Sequence, residues 1–465
     1  MSSPAVQGVA VMASLNLVIE CNRDVTPTAT VPSRKVYDDP ISRVSRVPSI
    51  KSLTEVAAMK SNNFWFAPRS AICFTIALLM ATMASAASRE TVLHRFLDKP
   101  AEGPDATLVA DASGNLYGVT FQGGTKGDGT VYELSPRSGG GWSYHILHVF
   151  NGKDGSSPQG KLLLDSIGNL YGTTFEGGAY DCGTVFQLAP VSGGQWMMTT
   201  LHDFTSGSDG CATMVGLTFD TNGNLYGGNT SGGADQAGVA FSMTPASNGQ
   251  WTLTAIHAFS GVSGEGGGPT TSLVFDSKGN LYGGNITGIF VLTPNGDGTW
   301  TESSAYTFNS NPDGQAASGE LTFDAAGNLY GTNTFGGKYW PTGGAAFRLT
   351  PGTSGWSITV LHSFGLGNDG FYPYGGLVLD SAGNAYGTTG QGGLYGKGIV
   401  FKLARDANDH WTETILHNFT GGPDGGVPVA GALLDGSNSL YGATEGGGAS
   451  GCGVSGCGVV FKLVP

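Results

Sequence analysis

The chain has 465 residues, of which 78 are glycine and only 12% are charged. So much glycine excludes a mainly helical protein, because glycine destabilises helix interiors, and the 40% hydrophobic content excludes a disordered chain. The formal net charge of −13 offers no basic surface to nucleic acid, so no nucleic-acid partner is expected.

Residues 59–86 predict a secretory signal peptide. Lys60 and Arg69 precede the apolar segment 71–83, and "ASA" at 84–86 supplies the small residues of a cleavage site. The apolar segment is shorter than the roughly 20 residues of a membrane span. We therefore expect no stable membrane span after cleavage, with a signal anchor as the lesser alternative.

The position of this signal inside the chain has two consequences. We expect Met59 to be the true start, which makes residues 1–58 upstream sequence or a disordered leader. The mature protein, residues 87–465, is expected to be secreted and to reside in the periplasm, on the cell surface or outside the cell.

One phrase recurs throughout the mature protein. It reads DSIGNLYGTTFEGG at 165–178 and DAAGNLYGTNTFGG at 324–337, and its tyrosine returns every 48–56 residues. A fixed period of this size indicates a solenoid, a propeller or an array. The seven tyrosines are Tyr117, Tyr171, Tyr226, Tyr282, Tyr330, Tyr386 and Tyr441.

Each period contains four short apolar segments. Within residues 160–204 they are "GKLLLD", "LYGTT", "TVFQLAP" and "WMMTTLHDF", which we name strands A, B, C and D. Glycine-rich turns separate them, and no helical periodicity is present. This pattern predicts an all-β, seven-bladed β-propeller of four-stranded blades over residues 87–465.

The two ends of the repeat region complement each other. "TVLHRF" at 91–96 reads as a strand D without its own A, B and C, whereas "GVVFKLVP" at 458–465 reads as a strand C without a following D. We therefore predict that the N-terminal strand completes the seventh blade and closes the ring. Closure removes exposed sheet edges, so a monomer is expected.

The combined motif D-x-x-G-N-L-Y-G-T-T-x-x-G-G, then G-T-V-F-x-L, then W and L-H-x-F, resembles the GloVer tandem-repeat family of secreted bacterial proteins. More distantly, D-x-x-G-N-L-Y is similar to blades of streptogramin-lyase-like and NHL propellers. The resemblance implies a secreted propeller but no particular activity. Members often carry a surface-anchoring tail, which is not evident after residue 458, so covalent anchoring is not expected.

Histidines recur in strand D, and aspartates recur in the A–B turn. As general bases, six histidines spread around a ring could not all serve one site, so we predict buried, hydrogen-bonded structural histidines. Simple strand alternation predicts that Trp196, His202 and Phe204 share one face. The turn aspartates are predicted to cap turns rather than bind calcium, since each turn offers one carboxylate. The repeated histidines are His94, His148, His202, His257, His362 and His417.

A second set of aspartates lies in the D–A loops, each followed by glycine. Because these loops lead into the innermost strands, we predict that the carboxylates ring one mouth of the central channel. The alternative is Asp-Gly turn chemistry without a ligand, and the functional interpretation is a site for a cation or basic ligand. The set comprises Asp154, Asp209, Asp313, Asp369 and Asp424.

Aromatic residues cluster in three loops of blades 5 and 6, on the face shared by B–C and D–A loops. Blade 4 has a short B–C loop beside them, which predicts a notch. Tyrosine and tryptophan suit sugar rings or peptide chains, and the alternative is loop-to-loop packing. The predicted ligand-binding residues are Tyr339, Trp340, Phe371, Tyr372, Tyr374 and Tyr395.

Four cysteines follow the signal peptide and predict two disulfides. Cys182 and Cys211 lie in consecutive loops on one face, and Cys452 with Cys457 would close one loop of blade 7. Four cysteines allow three pairings, so others stay open. Zinc is the weaker interpretation because the spacing of "CGVSGC" is not C-x₂-C, and no metal is predicted.

No nucleophile motif, phosphate-binding loop or H-E-x-x-H sequence occurs, so no catalytic residue and no cofactor is predicted. The function favoured is a secreted, non-catalytic binding propeller for a carbohydrate, protein or cell-envelope ligand. One alternative is a propeller enzyme of the lyase or lactonase type, which requires unlike polar residues to converge at the channel mouth. A second alternative is a structural or assembly protein.

Overall fold

The computed structural model describes residues 88–97, 101–262, 265–339, 341–448 and 456–465. The predicted leader (1–58), the predicted signal peptide (59–86), Trp340 and Cys452 lie outside the described residues. The described residues form strands and turns, with no helix among them. The described residues therefore include no helix that is long and apolar enough to cross a membrane.

The strands of the first three blades follow two strands that precede blade 1. These two are β1 (Arg89–Arg95) and β2 (Ala101–Pro104). Blade 1 contains β3 (Val109–Ala110), β4 (Leu116–Gly123), β5 (Thr130–Pro136) and β6 (Trp142–Val149). Blade 2 contains β7 (Leu163–Leu164), β8 (Leu170–Thr173), β9 (Thr184–Val191) and β10 (Gln195–Asp203). Blade 3 contains β11 (Thr218–Phe219), β12 (Leu225–Asn229), β13 (Val239–Pro245) and β14 (Trp251–Ala258).

The remaining blades repeat the pattern. β15 (Thr271–Ser272) precedes blade 4, which contains β16 (Val274–Phe275), β17 (Leu281–Gly284), β18 (Gly288–Pro294) and β19 (Trp300–Thr307). Blade 5 contains β20 (Gln315–Phe323), β21 (Leu329–Phe335), β22 (Ala345–Gly352) and β23 (Gly355–Ser363). Blade 6 contains β25 (Val378–Leu379), β26 (Ala385–Thr389), β28 (Ile399–Arg405) and β29 (Trp411–Asn418), with β24 (Gly370–Phe371) and β27 (Gln391–Gly392) in its loops. Blade 7 contains β30 (Leu433–Leu434), β31 (Leu440–Thr444) and β32 (Val459–Val464).

The predicted closure of the ring is confirmed. β1 pairs antiparallel with β32, from Arg89 opposite Val464 to Arg95 opposite Val459, and so supplies strand D of blade 7. Each blade is an antiparallel sheet in the order A-B-C-D, and two sheets gain a strand from a neighbouring loop: β2 beside β4, and β15 parallel to β20. The protein is therefore a seven-bladed β-propeller of four-stranded blades.

The blades are joined by one aromatic contact that repeats around the ring. The phenylalanine that follows strand D of each blade packs against an aromatic ring in strand C of the next, with ring centroids 4.9–5.3 Å apart. The pair Phe96–Tyr132 completes the circle from blade 7 to blade 1. All of these rings are buried except that of Phe308, which is half-buried, and burial of this kind is the dominant stabilising term in folding. The other pairs are Phe150–Phe186, Phe204–Phe241, Phe259–Phe290, Phe308–Phe347, Phe364–Phe401 and Phe419–Phe461.

The same contact explains the glycine of the repeated "LYG". A Cβ atom added at Gly331 would lie 2.7 Å from Cζ of Phe347 and 2.8 Å from Cδ2 of Leu321. The strand-C ring therefore occupies the space that any larger residue in strand B would need. In every blade, therefore, the glycine of strand B is required because the strand-C ring packs directly against it.

The turn aspartates cap the A–B turns, as their sequence predicts. Oδ1 of Asp165 accepts hydrogen bonds from the backbone N–H groups of Ile167 (3.0 Å) and Asn169 (2.8 Å). Its Oδ2 accepts from the side chains of Asn169 (2.8 Å) and Tyr171 (3.3 Å). These four bonds satisfy the carboxylate within the chain, and the same set recurs in blades 1, 3, 4, 5 and 6. In blade 7 Ser439 replaces the asparagine and donates only its backbone N–H to Asp435, which also accepts from the hydroxyls of Ser437 and Tyr441.

The prediction that Trp196, His202 and Phe204 share one face is wrong. A β-bulge between Thr200 and His202 shifts the register of strand D, and an equivalent shift occurs in every blade. Trp196 consequently packs on Tyr117 of the preceding blade, while Phe204 packs on Phe241 of the following blade. The extra residue of a bulge reverses the alternation on which the prediction depended.

One predicted disulfide is present between Cys182 and Cys211, which are 29 residues apart. It joins the B–C loop of blade 2 to the next D–A loop, and closing a loop of this length contributes about 3–4 kcal/mol in the chain-entropy treatment. Cys457 is also disulfide-bonded. Its predicted partner, Cys452, lies outside the described residues.

Candidate functional site

The repeated histidines and the D–A loop carboxylates form a single structural unit. His202 Nε2 lies 3.0 Å from Asp209 Oδ2, and His362 Nε2 lies 3.0 Å from Asp369 Oδ2. The unit ties the end of strand D to the loop that leaves it. Equivalent pairs are His148–Asp154 (3.0 Å), His257–Glu265 (2.8 Å) and His417–Asp424 (3.2 Å).

Two blades vary this unit. In blade 4 the hydroxyl of Tyr306 donates to Asp313 at 2.9 Å, so the tyrosine satisfies the same carboxylate position as a histidine does. In blade 7 the ring of His94 stacks on Tyr144 with centroids 4.1 Å apart. Burial lowers the pKa of His94 to about 4, so this imidazole is neutral at physiological pH.

The structure places the five predicted channel-mouth aspartates away from the central cavity. Asp154, Asp209, Asp313, Asp369 and Asp424 each bond to a strand-D side chain, and none of them lines the cavity. Each carboxylate is instead held by a partner on strand D, which in sheet order is the strand farthest from strand A, and the residues next to strand A form the cavity wall. The sequence places the carboxylates on the D–A loops, but it does not show that a strand-D side chain binds each of them.

A cavity of about 330 Å³ occupies the centre of the ring. All seven blades contribute to its wall through the residues just before strand A, or through the start of β20 in blade 5. Most of these residues are small, but four bring chemically unlike groups together. They are Asp105, Lys161, Glu320 and Tyr374.

Asp105 gives the cavity an acid that titrates near neutrality. Burial, and secondarily the charge of Glu445, raise the pKa of Asp105 to about 7. The unfolded chain has the usual value near 3.8, so the folded state holds this proton over the range between the two values. The contribution of the Asp105 proton to the free energy of unfolding is fully present below about pH 4 and is lost as the pH rises through 7.

We therefore expect the free energy of unfolding to decrease between pH 5 and pH 8, and Asp105→Asn to flatten this decrease. Urea unfolding at both pH values measures it. Asp235→Asn, at an exposed loop position, is the control and is expected to keep the parent's slope. An Asp105→Asn variant with the parent's full pH dependence would contradict the assignment.

Three aromatic rings lead from the surface toward this cavity. Tyr372 stacks on Tyr374 with centroids 6.1 Å apart and planes 26° apart, and Phe335 meets Tyr372 edge-on at 5.6 Å. Tyr374 lines the cavity, whereas Phe335 is 41% exposed. We name these three residues the aromatic track. The sequence prediction does not select Phe335, which it takes as the first residue of the B–C loop 335–344, whereas the structure makes it the last residue of β21.

Tyr372 has an unusual backbone conformation. Its φ is +56°, in the left-handed region that bulky residues avoid. Its N–H donates to the carbonyl of Gly343 in the preceding blade, and other D–A loops repeat this bond from residues with positive φ. The fold imposes the conformation, so a large side chain here costs about 1–3 kcal/mol that glycine would avoid. The equivalent residues are Ser157, Ala212, Ala316 and Val427.

The remaining predicted aromatic residues do not join the track. Tyr339 and Phe371 flank Gly365, whose added Cβ would lie 3.2 Å from Cβ of Tyr339 and 3.4 Å from Cε1 of Phe371. Tyr395 is 54% exposed, and Trp340 lies outside the described residues. The short B–C loop of blade 4 is present, since β17 ends at Gly284 and β18 begins at Gly288.

The repeat profile described as Gloeobacter/Verrucomicrobia repeat matches residues 79–289 and again 284–465. The chain belongs to this repeat family. The match confirms the resemblance carried by the motif, and it spans all seven blades of this Gloeobacter/Verrucomicrobia repeat protein. A search among curated proteins finds no match.

Solved structures similar to this Gloeobacter/Verrucomicrobia repeat protein have low sequence identity. An ancestral GH74 enzyme aligns with a TM-score of 0.51 and 11% identity, over 78% of this chain and 48% of that one. Virginiamycin B lyase from Staphylococcus aureus aligns with a TM-score of 0.49 and 13% identity, over 81% of this chain and 99% of that one. The first likeness shows a shared fold alone, since one fold hosts many functions.

Proposed function

We propose that the protein is a secreted, non-catalytic binding propeller that takes a carbohydrate chain along the aromatic track. The observation that carries the proposal is the stacked pair Tyr372–Tyr374, which runs from exposed Phe335 to the wall of the central cavity. Flat rings with a polar hydroxyl match sugar rings, which present an apolar face and polar edges.

The backbone of Tyr372 supports the same proposal. A tyrosine held at positive φ motivates a functional hypothesis, because glycine would be more stable there. Four other loops have serine, alanine or valine at the equivalent position. The disulfide Cys182–Cys211 is consistent with the proposed location in an oxidising compartment outside the cytoplasm.

The test is retention on a glycan array and in affinity electrophoresis. Tyr372→Gly and Tyr374→Ala are each expected to weaken binding about tenfold or more relative to the parent, the loss expected when one stacking ring is removed. Tyr372→Gly is also expected to raise the melting temperature, because glycine accepts the positive φ.

Tyr180→Ala is the matched control for these variants. Tyr180 is a 62% exposed tyrosine in the B–C loop of blade 2, far along the chain from the track. The Tyr180→Ala variant should bind every glycan that the parent protein binds. Equal retention of the parent, Tyr372→Gly and Tyr374→Ala on all glycans would refute the proposal.

An enzyme of the lyase or lactonase type is the second candidate. It is favoured by the convergence of Asp105, Lys161 and Glu320 on one cavity, since a carboxyl with a pKa of about 7 can act as a general base or acid. Turnover of a substrate panel that is lost in Asp105→Asn would support it. A protein with neither turnover nor glycan retention would favour the structural or assembly role.

A further inference from the structure

Three metal-ligating side chains meet where blade 5 packs on blade 6. Nε2 of His362 lies 3.0 Å from Oδ2 of Asp369 and 3.9 Å from Oε2 of Glu413. One ligand atom from each residue lies within 4.8 Å of the other two, and no other such group of three occurs among the described residues. His362 and Asp369 belong to blade 5 and its outgoing loop, whereas Glu413 belongs to strand D of blade 6.

Glu413 is not needed by the histidine–aspartate pair. It lies two residues after Trp411, the tryptophan of strand D. A side chain at this position faces the preceding blade, as the contact of Glu413 with His362 shows. At the same position Met198 and Leu253 pack on hydrophobic clusters shared with the preceding blade. The histidines of those preceding blades, His148 and His202, nevertheless keep their carboxylate partners. An apolar residue therefore suffices at this position. Blade 4 also has a glutamate here, Glu302, whose charge interacts with His257 and Glu265. Among the described residues, however, only Glu413 brings its carboxylate into a group of three ligand atoms.

The glutamate is also costly where it lies. Its side chain is only 15% exposed, and its Oε1 is buried without a hydrogen-bond partner. The His362 ring already pairs with Asp369, whose side chain is 9% exposed. The second carboxylate, that of Glu413, therefore has no separate cationic partner. Buried charges are normally paired or bound to a metal ion.

We propose that His362, Asp369 and Glu413 bind a divalent transition-metal ion, zinc by preference, between blades 5 and 6. One imidazole and two carboxylates are ligands that zinc accepts, and a water molecule would complete four-coordination. Two ligands of a tetrahedral zinc ion lie about 3.4 Å apart. The distances from His362 Nε2 to Asp369 Oδ2 (3.0 Å) and to Glu413 Oε2 (3.9 Å) lie on either side of this value. Small side-chain rotations would therefore bring the three atoms to the spacing that zinc requires.

The ion would fix a loop as well as two blades. Asp369 precedes Tyr372 by three residues, and β24, which lies between them, pairs with β27 of blade 6. A ligand bond at Asp369 would therefore restrict the loop that carries Tyr372 and Tyr374. This inference does not depend on the proposed carbohydrate, because the ion is tested alone.

The experiment is calorimetric titration of the EDTA-treated full chain with zinc chloride, together with its melting temperature. We expect one equivalent to bind and the melting temperature to rise. His362→Gln and Glu413→Leu should each weaken binding at least tenfold, and Glu413→Leu reproduces the residue of blade 3, so it is expected to fold without metal.

Two matched controls separate the site from general zinc affinity. His148→Gln alters the same histidine–aspartate pair at a seam without the glutamate. His410→Gln removes a histidine whose side chain is 79% exposed. Both should bind zinc as the parent does. The proposal is overturned if the folded parent binds no zinc, if His362→Gln and Glu413→Leu bind it unchanged, or if His410→Gln abolishes binding.

Discussion

Removal of residues 88–97 from a chain that begins at residue 88 is expected to abolish cooperative unfolding of the propeller. The deletion takes away β1, so β32 becomes an open edge with unpaired backbone groups. It also removes Phe96, which is buried against Leu108 and Tyr132 of blade 1. Loss of one such ring costs about 3–5 kcal/mol before the lost backbone pairing is counted, a large part of a typical domain's stability.

Thermal unfolding and gel filtration of chains 88–465 and 98–465 measure this effect. The longer chain should unfold cooperatively as a monomer, and the shorter one should aggregate or unfold over a broad range. A synthetic peptide of residues 88–97, added to the shorter chain, is expected to restore the cooperative transition by strand addition. Equal stability of the two chains would show that closure contributes nothing.

Replacement of Phe364 with alanine is expected to lower the free energy of unfolding by about 3–5 kcal/mol. Phe364 is fully buried, and its ring centroid lies 4.9 Å from that of Phe401 in blade 6. The cavity left behind cannot collapse easily, because strands of two blades hold its walls. Urea unfolding followed by fluorescence measures the change.

Leu366→Ala is the control for this substitution, because Leu366 is 65% exposed two residues further along the chain. Its effect should stay within about 0.5 kcal/mol. A double-mutant cycle with Phe401→Ala should show that the two losses are not additive, since the rings share one contact. A loss below 1 kcal/mol for Phe364→Ala would mean that adjacent blades are only loosely packed.

The fold could be predicted from the sequence because each blade repeats the same local signals. A turn aspartate, a "LYG" strand and an aromatic strand C recur often enough to define period, strand order and number of blades. Closure could be predicted because the segments at 91–96 and 458–465 are complementary parts of one blade. These features depend on short-range patterns, which a single sequence records directly.

The site could be predicted only in part, because it depends on register and on contacts between blades. The bulge before His202 cannot be seen in the alternation of residues, and it separates Trp196 from Phe204. The histidines and D–A loop carboxylates appear as two independent repeats in sequence, and only the fold joins them. Tyr372 and Tyr374 were selected by residue type, whereas their stacking with Phe335 depends on three-dimensional packing.

The pairing of Arg89 with Val464 also has a consequence for how the chain can be rearranged. Antiparallel neighbours at this position bring residue 89 and residue 464 side by side in one sheet, so a short linker could join them. New termini could then be opened in an exposed A–B turn, such as the one around Ile167, which is 78% exposed. Such circular permutants would move the closing seam to any chosen blade and reveal whether folding must start from one part of the ring.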